Sequence, residues 1–206
     1  LLKNEEKALP LAGGAKVTLL GYAAINPDAG SGANVVDASA GAAIAKKTVI
    51  TSMEDAGFSL NKTVIDLYTK WESEDVEGAE ADDQGNIPKK TSDILVAEDF
   101  AEASETDEWK SSIEEYSDAA IVVISGGTGE ISGDGRVHPC QLDDVQYDLI
   151  DYATENFDKV IVLVNKSTSI EIADIQRNSK VDAVLNIGEP GDNGFDALGM
   201  ILSGEV

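Results

Sequence analysis

Apolar residues gather in five short runs along the chain, each rich in β-branched side chains: Lys16–Leu20, Ile94–Ala97, Ala119–Ser125, Lys159–Val164 and Val181–Ile187. The third and fourth are long and nearly continuously apolar, the pattern of a strand buried on both faces. Between the runs the spacing changes to steps of three and four, the period of a helix with one apolar side. Thr48–Phe58 sets Val49, Ile50, Met53 and Ala56 along such a side and ends at or just past Gly57. Asn61–Trp71 sets Val64, Leu67, Tyr68 and Trp71 on one stripe, with Asn61 suited to cap the helix start. Leu142–Phe157 gives the clearest helix, through Leu142, Val145, Leu149, Ile150, Ala153 and Phe157. Ser169–Arg177 and Phe195–Leu202 predict two shorter ones.

Strands that alternate with helices pair in parallel through right-handed crossovers. The expected architecture is therefore α/β: a three-layer α/β sandwich around a mostly parallel sheet, formed by residues 1–206 as one domain. In open sheets of this kind ligands bind outside the carboxyl ends of the strands. That expectation selects the loops that follow the strands.

Two acidic stretches interrupt the pattern. Glu72–Asp83 holds seven acids and no base, and Glu98–Asp118 holds nine acids and one base. They read as solvated loop and surface helix. Neither contains the D-x-[DN]-x-[DN]-G spacing of a calcium loop. Across the chain 39 acids face 15 bases, a net charge of −24, which repels phosphate backbones and anionic membranes. Nucleic acid and membrane are accordingly not expected partners. No apolar run approaches the ~20 residues of a membrane span. The chain opens on Leu1-Leu2-Lys3-Asn4-Glu5 without Met, which reads as a piece of a longer protein. Its compartment stays open between cytoplasmic and secreted bacterial.

Four strand-end loops bear on the chemistry. The first run leads into Gly21–Gly32, whose small residues Gly30, Ser31 and Gly32 let backbone approach a ligand, although no G-x-G-x-x-G fingerprint is present. The run at Ala119–Ser125 leads into Gly126–Gly135, with five glycines in ten residues around Glu130 and Asp134. Such a loop costs entropy to order, an odd choice for packing alone. A carboxyl group held there can donate or accept a proton if its surroundings tune its pKa. A phosphate cradle is the rival, but the loop has no Walker lysine and its two acids repel phosphate. The later exits, Asn165-Lys166-Ser167 and Gly188-Glu189-Pro190-Gly191, read as turn chemistry first. His138 is the sole histidine and Cys140 the sole cysteine, too few ligands for a closed zinc site; no metal and no cofactor is expected.

Several segments together resemble the carboxyl-side α/β sandwich domain of glycoside hydrolase family 3, the β-glucosidase-like enzymes. Leu1-Leu2-Lys3-Asn4-Glu5 with Ala8-Leu9-Pro10-Leu11 is similar to that domain's opening signature. Gly21-Tyr22 with Gly30-Ser31-Gly32 resembles its G-S-G loop, and Asp118–Ile124 and Asn156–Asn165 resemble its two central strands. Glu171 falls where the family usually has a Glu. Pro190-Gly191, Gly194, Ala197-Leu198 and Ile201–Val206 resemble its closing stretch. The likeness spans nearly the whole chain.

The resemblance implies a retaining β-glycosidase whose aspartate nucleophile sits on a separate (β/α) barrel domain outside these residues. The family's G-E-G-x-D loop supplies the general acid/base, and Gly129-Glu130 occupies its place, so Glu130 carries that role. Gly30, Ser31, Asp134 and Arg136 are the implied substrate contacts. This chain has Ile131 where the family has the second Gly, and Gly126 or Gly127 where it often has Arg. The implied partners are the barrel domain and a β-glycoside or small oligosaccharide. A non-catalytic sugar-binding or structural module of such an enzyme and a nucleotide- or flavin-binding α/β domain are the competing readings.

Overall fold

The structure is a computed structural model and describes residues 1–27, 47–74, 80, 85, 101–125, 140, 142, 144–166, 169–191 and 193–206. Six strands form one sheet: β1 (Lys3–Asn4), β2 (Lys16–Leu20), β3 (Ser59–Leu60), β4 (Ala119–Ser125), β5 (Val160–Asn165) and β6 (Ala183–Asn186). Their order is β1-β6-β5-β4-β2-β3, parallel throughout except that β1 runs antiparallel to β6.

The core strands alternate sides residue by residue. Val17, Leu19, Ile121, Val123, Ile161, Leu163 and Leu185 face one layer, and Leu20, Val122, Ile124, Val162, Val164 and Val184 face the other. Both faces are apolar because both are covered, as a parallel sheet requires. Helices α1 (Val49–Asp55) and α6 (Leu198–Ser203) cover the first face through Val49, Met53, Leu198 and Leu202. Helices α2 (Lys62–Ser73), α3 (Asp107–Glu115), α4 (Asp144–Asn156) and α5 (Ala173–Arg177) cover the second. The two helices of the first face touch backbone to backbone: a Cβ on Gly199 would overlap the Ser52 carbonyl oxygen, and the Gly199 N–H donates to Ser52 Oγ at 2.9 Å.

The helix starts follow local chemistry. Thr48 and Thr51 form a reciprocal capping box at the head of α1, and Thr106 accepts from the Trp109 N–H at 3.2 Å at the head of α3. Asn61 caps α2 and goes further. Its Oδ1 accepts from the Val64 N–H, while its Nδ2 donates to Thr18 Oγ1 at 3.2 Å and Ser112 Oγ at 3.0 Å. This buried amide therefore links β2, α2 and α3 with its polar atoms satisfied.

Four predicted strands appear, with shifts of a residue or two at the ends. The run Ile94–Ala97 lies outside the described residues. Strands β1 and β3 were not expected: two residues carry no period, and each forms only because a neighbouring strand offers its edge. The stretch Glu98–Asp118, read as solvated loop and surface helix, is better anchored than that. Its helix α3 buries Trp109, 1% exposed, and the indole N–H donates to the Tyr152 hydroxyl at 2.7 Å. Helix α5 is shorter than Ser169–Arg177, and the predicted helix at Phe195–Leu202 splits into a 3-10 turn at Gly194–Ala197 and α6. Among the described residues no helix is long and apolar enough to cross a membrane.

Candidate functional site at the carboxyl edge of the sheet

From β2 the chain moves outward to β3, then crosses back past β2 to β4 and continues to β5 and β6. The direction of winding reverses between β2 and β4. The helix between β2 and β3 lies on one face and those leading from β3 to β4 lie on the other, as crossovers of a single hand require. In open α/β sheets ligands bind outside the carboxyl ends of the strands at such a reversal.

At the end of β2, Gly21 has φ +95°, and a Cβ there would overlap the Val123 carbonyl oxygen. Only glycine lets the turn at Tyr22–Ala24 fold against the projecting tail of β4. The Gly21 N–H donates to the Tyr68 hydroxyl of α2 at 3.0 Å. Tyr68 was expected only as part of an apolar stripe. Its hydroxyl is the polar tip that the spacing could not reveal, and it pins the exit of β2 from the layer below. Burial pushes the Tyr68 phenol well above its ordinary value of about 10, and the Gly21 N–H offsets this only in part. A raised phenol pKa gives stability that is complete below the unfolded value and is lost as pH climbs toward the folded one. The urea midpoint should therefore fall as pH rises above about 10, and Tyr68→Phe should flatten that decline. An unchanged slope in Tyr68→Phe would show that another group causes it.

The remaining exits are tied to one another. The Ser125 carbonyl at the end of β4 accepts from the Gln146 side chain of α4. Ser125 pairs with Asn165, so β4 and β5 end level. Asn165 is fully buried, and its Nδ2 donates to the Gly188 carbonyl at 2.6 Å, which joins the end of β5 to the loop after β6. That loop is closed by the Gly188 N–H on Asn186 Oδ1 at 2.9 Å and the Ile187 N–H on the Val164 carbonyl at 2.9 Å. The Glu171 N–H donates to the Cys140 carbonyl at 2.6 Å, which ties the loop after β5 to the approach of α4. Asn165 and Lys166, read from sequence as turn residues, are thus buried parts of the edge. A polar pair closing a wholly apolar strand run was the available signal.

Glu130, Gly30, Ser31, Asp134, Arg136 and His138 lie outside the described residues. In sequence they belong to the two segments that leave β2 and β4, on either side of the winding reversal. Cys140 and Glu171 are exposed. Among the described residues no group of three or more His, Cys, Asp or Glu side chains is placed to hold a metal ion.

The family model of the glycosyl hydrolase family 3 C-terminal domain matches residues 1–206. The chain belongs to that family. Solved structures with the same fold include β-glucosidase 3B from Thermotoga neapolitana, with 22% identity and a TM-score of 0.66 over 100% of this chain and 27% of that one. A β-glucosidase from Paenibacillus barengoltzii shows 21% identity and a TM-score of 0.65 over 99% and 21%. One from Listeria innocua shows 19% identity and a TM-score of 0.61 over 100% and 24%. This family 3 domain thus spans about a quarter of the length of the structures it matches. No curated protein matches it.

Proposed function

We propose that this family 3 domain completes the substrate pocket of a retaining β-glycosidase and supplies Glu130 as its general acid/base. The observation that carries the reading is the winding reversal between β2 and β4. The segments that bear Gly30 and Ser31 and that bear Glu130, Asp134 and Arg136 leave the two strands flanking it. A (β/α) barrel domain of the same protein would provide the aspartate nucleophile and the rest of the sugar cleft.

Retention requires two carboxyl groups ~5–5.5 Å apart. The aspartate attacks the anomeric carbon while Glu130 passes its proton to the glycosidic oxygen, and the aglycone leaves as an alcohol. Glu130, now a carboxylate, then takes a proton from the water that displaces the sugar from the aspartate. Gly30, Ser31, Asp134 and Arg136 hold sugar hydroxyls. The aspartate is outside this chain, so residues 1–206 alone should leave an aryl β-glucoside uncleaved above blank.

Azide rescue of Glu130→Gly in the parent protein tests the role. The variant should be slow on an aryl β-glycoside with a good leaving group, and azide should restore turnover with a β-glycosyl azide as product. Loss of activity without rescue, or no loss at all, would leave the domain a sugar-binding or structural module.

A further inference from the structure

The large apolar side chains that stay exposed among the described residues are Leu1, Leu2, Met200, Ile201 and Val206, all from the two ends of residues 1–206. Leu1, Ile201 and Val206 rim a groove of about 500 Å³ that is floored by the buried Leu9, Leu185 and Phe195. The two ends are held together there. The Leu2 N–H donates to the Val184 carbonyl of β6, and the Leu11 N–H to the Leu202 carbonyl of α6, both at 2.8 Å. Gly204 lies so close to Pro10 that a Cβ would overlap the ring. No charged residue lines the groove, although the chain carries a net charge of −24. Its polar side chains are already engaged. Asn4 spends both ends of its amide on the Leu9 backbone, and Asn186 Oδ1 accepts from the Gly188 N–H. A sugar needs placed polar groups to fix its hydroxyls. The groove suits an apolar protein surface instead.

We propose that this groove docks the polypeptide of the parent protein that adjoins residues 1 and 206, through an intramolecular apolar contact. The inference rests on the reading of this chain as one domain of a larger glycosidase, and it makes no use of Glu130. Residues 1–206 span 27% and 21% of two of the β-glucosidases they match. Chain that leaves from the rim is kept over the groove at an effective concentration of ~mM for a short linker. A contact of modest area then stays closed. A second copy of this chain would have to offset lost translation and rotation, and also the repulsion between two bodies of net charge −24.

Hydroxyl-radical footprinting of the parent protein, read by peptide mass spectrometry on the monomeric fraction, tests the contact. The chain holds two methionines: Met53 is fully buried, and Met200 is 37% exposed within residues 1–206. An open groove gives fast oxidation at Met200. With the groove covered, Met200 should react nearly as slowly as Met53, and Ile201 nearly as slowly as the buried Ile161. Ile201→Asp should raise the Met200 rate about tenfold or more, because an unpaired carboxylate closed into an apolar contact weakens the docking equilibrium by at least a decade. Ile201 is half-exposed within the domain, so Met53 should stay slow in this variant and in the milder Ile201→Ser. Four results would overturn the proposal: fast oxidation of Met200 in the monomer, protection found only in a dimer, protection that Ile201→Asp leaves intact, or a rise shared by Met53 in both variants. Protection in a parent that keeps full activity as Glu130→Gln removes only the reading of Glu130. An unprotected Met200 in a parent that Glu130→Gln inactivates removes only the docking.

Discussion

Glu130→Gln in the parent protein should lower turnover of an aryl β-glycoside by about 10²–10⁴-fold, the usual worth of a positioned acid or base. Glutamine keeps the size and hydrogen-bonding reach of the side chain but has no proton of suitable acidity, so the change isolates the chemistry from the packing. Both half-reactions should suffer. The first loses the proton for the departing aglycone, and the second loses the base that activates water. Circular dichroism and the thermal midpoint should stay as in the parent, because glutamine nearly matches glutamate in volume and shape. The measurement is kcat and kcat/KM on an aryl β-glycoside, with folding checked in the same sample. Full activity would remove Glu130 from the mechanism and leave the domain with a binding or structural part.

Gly21→Ala should destabilise the folded chain by about 3 kcal/mol. The left-handed backbone at φ +95° costs a residue with a Cβ about 1–2 kcal/mol. Overlap with the Val123 carbonyl oxygen adds a backbone shift in a packed core, typically about 1–3 kcal/mol. That shift also threatens the Gly21 N–H bond to Tyr68, since the turn cannot move off β4 without leaving the hydroxyl behind. Against a net stability of about 5–15 kcal/mol this is a large fraction. Urea unfolding should show a midpoint lowered by about 1 M or more, with an unchanged slope. A variant that unfolds with the wild type would mean that the β2 exit relaxes without resistance. In the parent, the same variant should impair substrate cleavage, because Gly30 and Ser31, the proposed sugar contacts, follow this turn in the sequence.

The sheet was legible wherever a segment carried its own period. Ala119–Ser125 reads as a doubly buried strand and is one, and Asn61 reads as a cap and is one. Lys3–Asn4 and Ser59–Leu60 were invisible, since a two-residue strand exists only as the partner of another edge. Trp109 was hidden for a related reason. Nine acids around it dominate the local composition, whereas a single face of α3 decides its burial. The edge residues divide in the same way. Glycine, glutamate and serine types after the strands pointed to a site, but that Tyr68 would hold Gly21, or Asn165 reach Gly188, depends on contacts between residues 47 and 23 positions apart.

Apart from the family 3 resemblance, which rests on motifs in order along nearly the whole chain, local patterning by itself determined the α/β class, the mostly parallel sheet and the main helices. Each of these follows from the alternation and spacing of side chains within a dozen residues. Only the tertiary structure decided the strand order β1-β6-β5-β4-β2-β3, and with it the reversal between β2 and β4. It also decided the burial of Asn165 and Lys166. The physical reason is that pairing and burial are set by which surfaces meet after the layers close. A strand's neighbours and the environment of a side chain are properties of that meeting rather than of the strand.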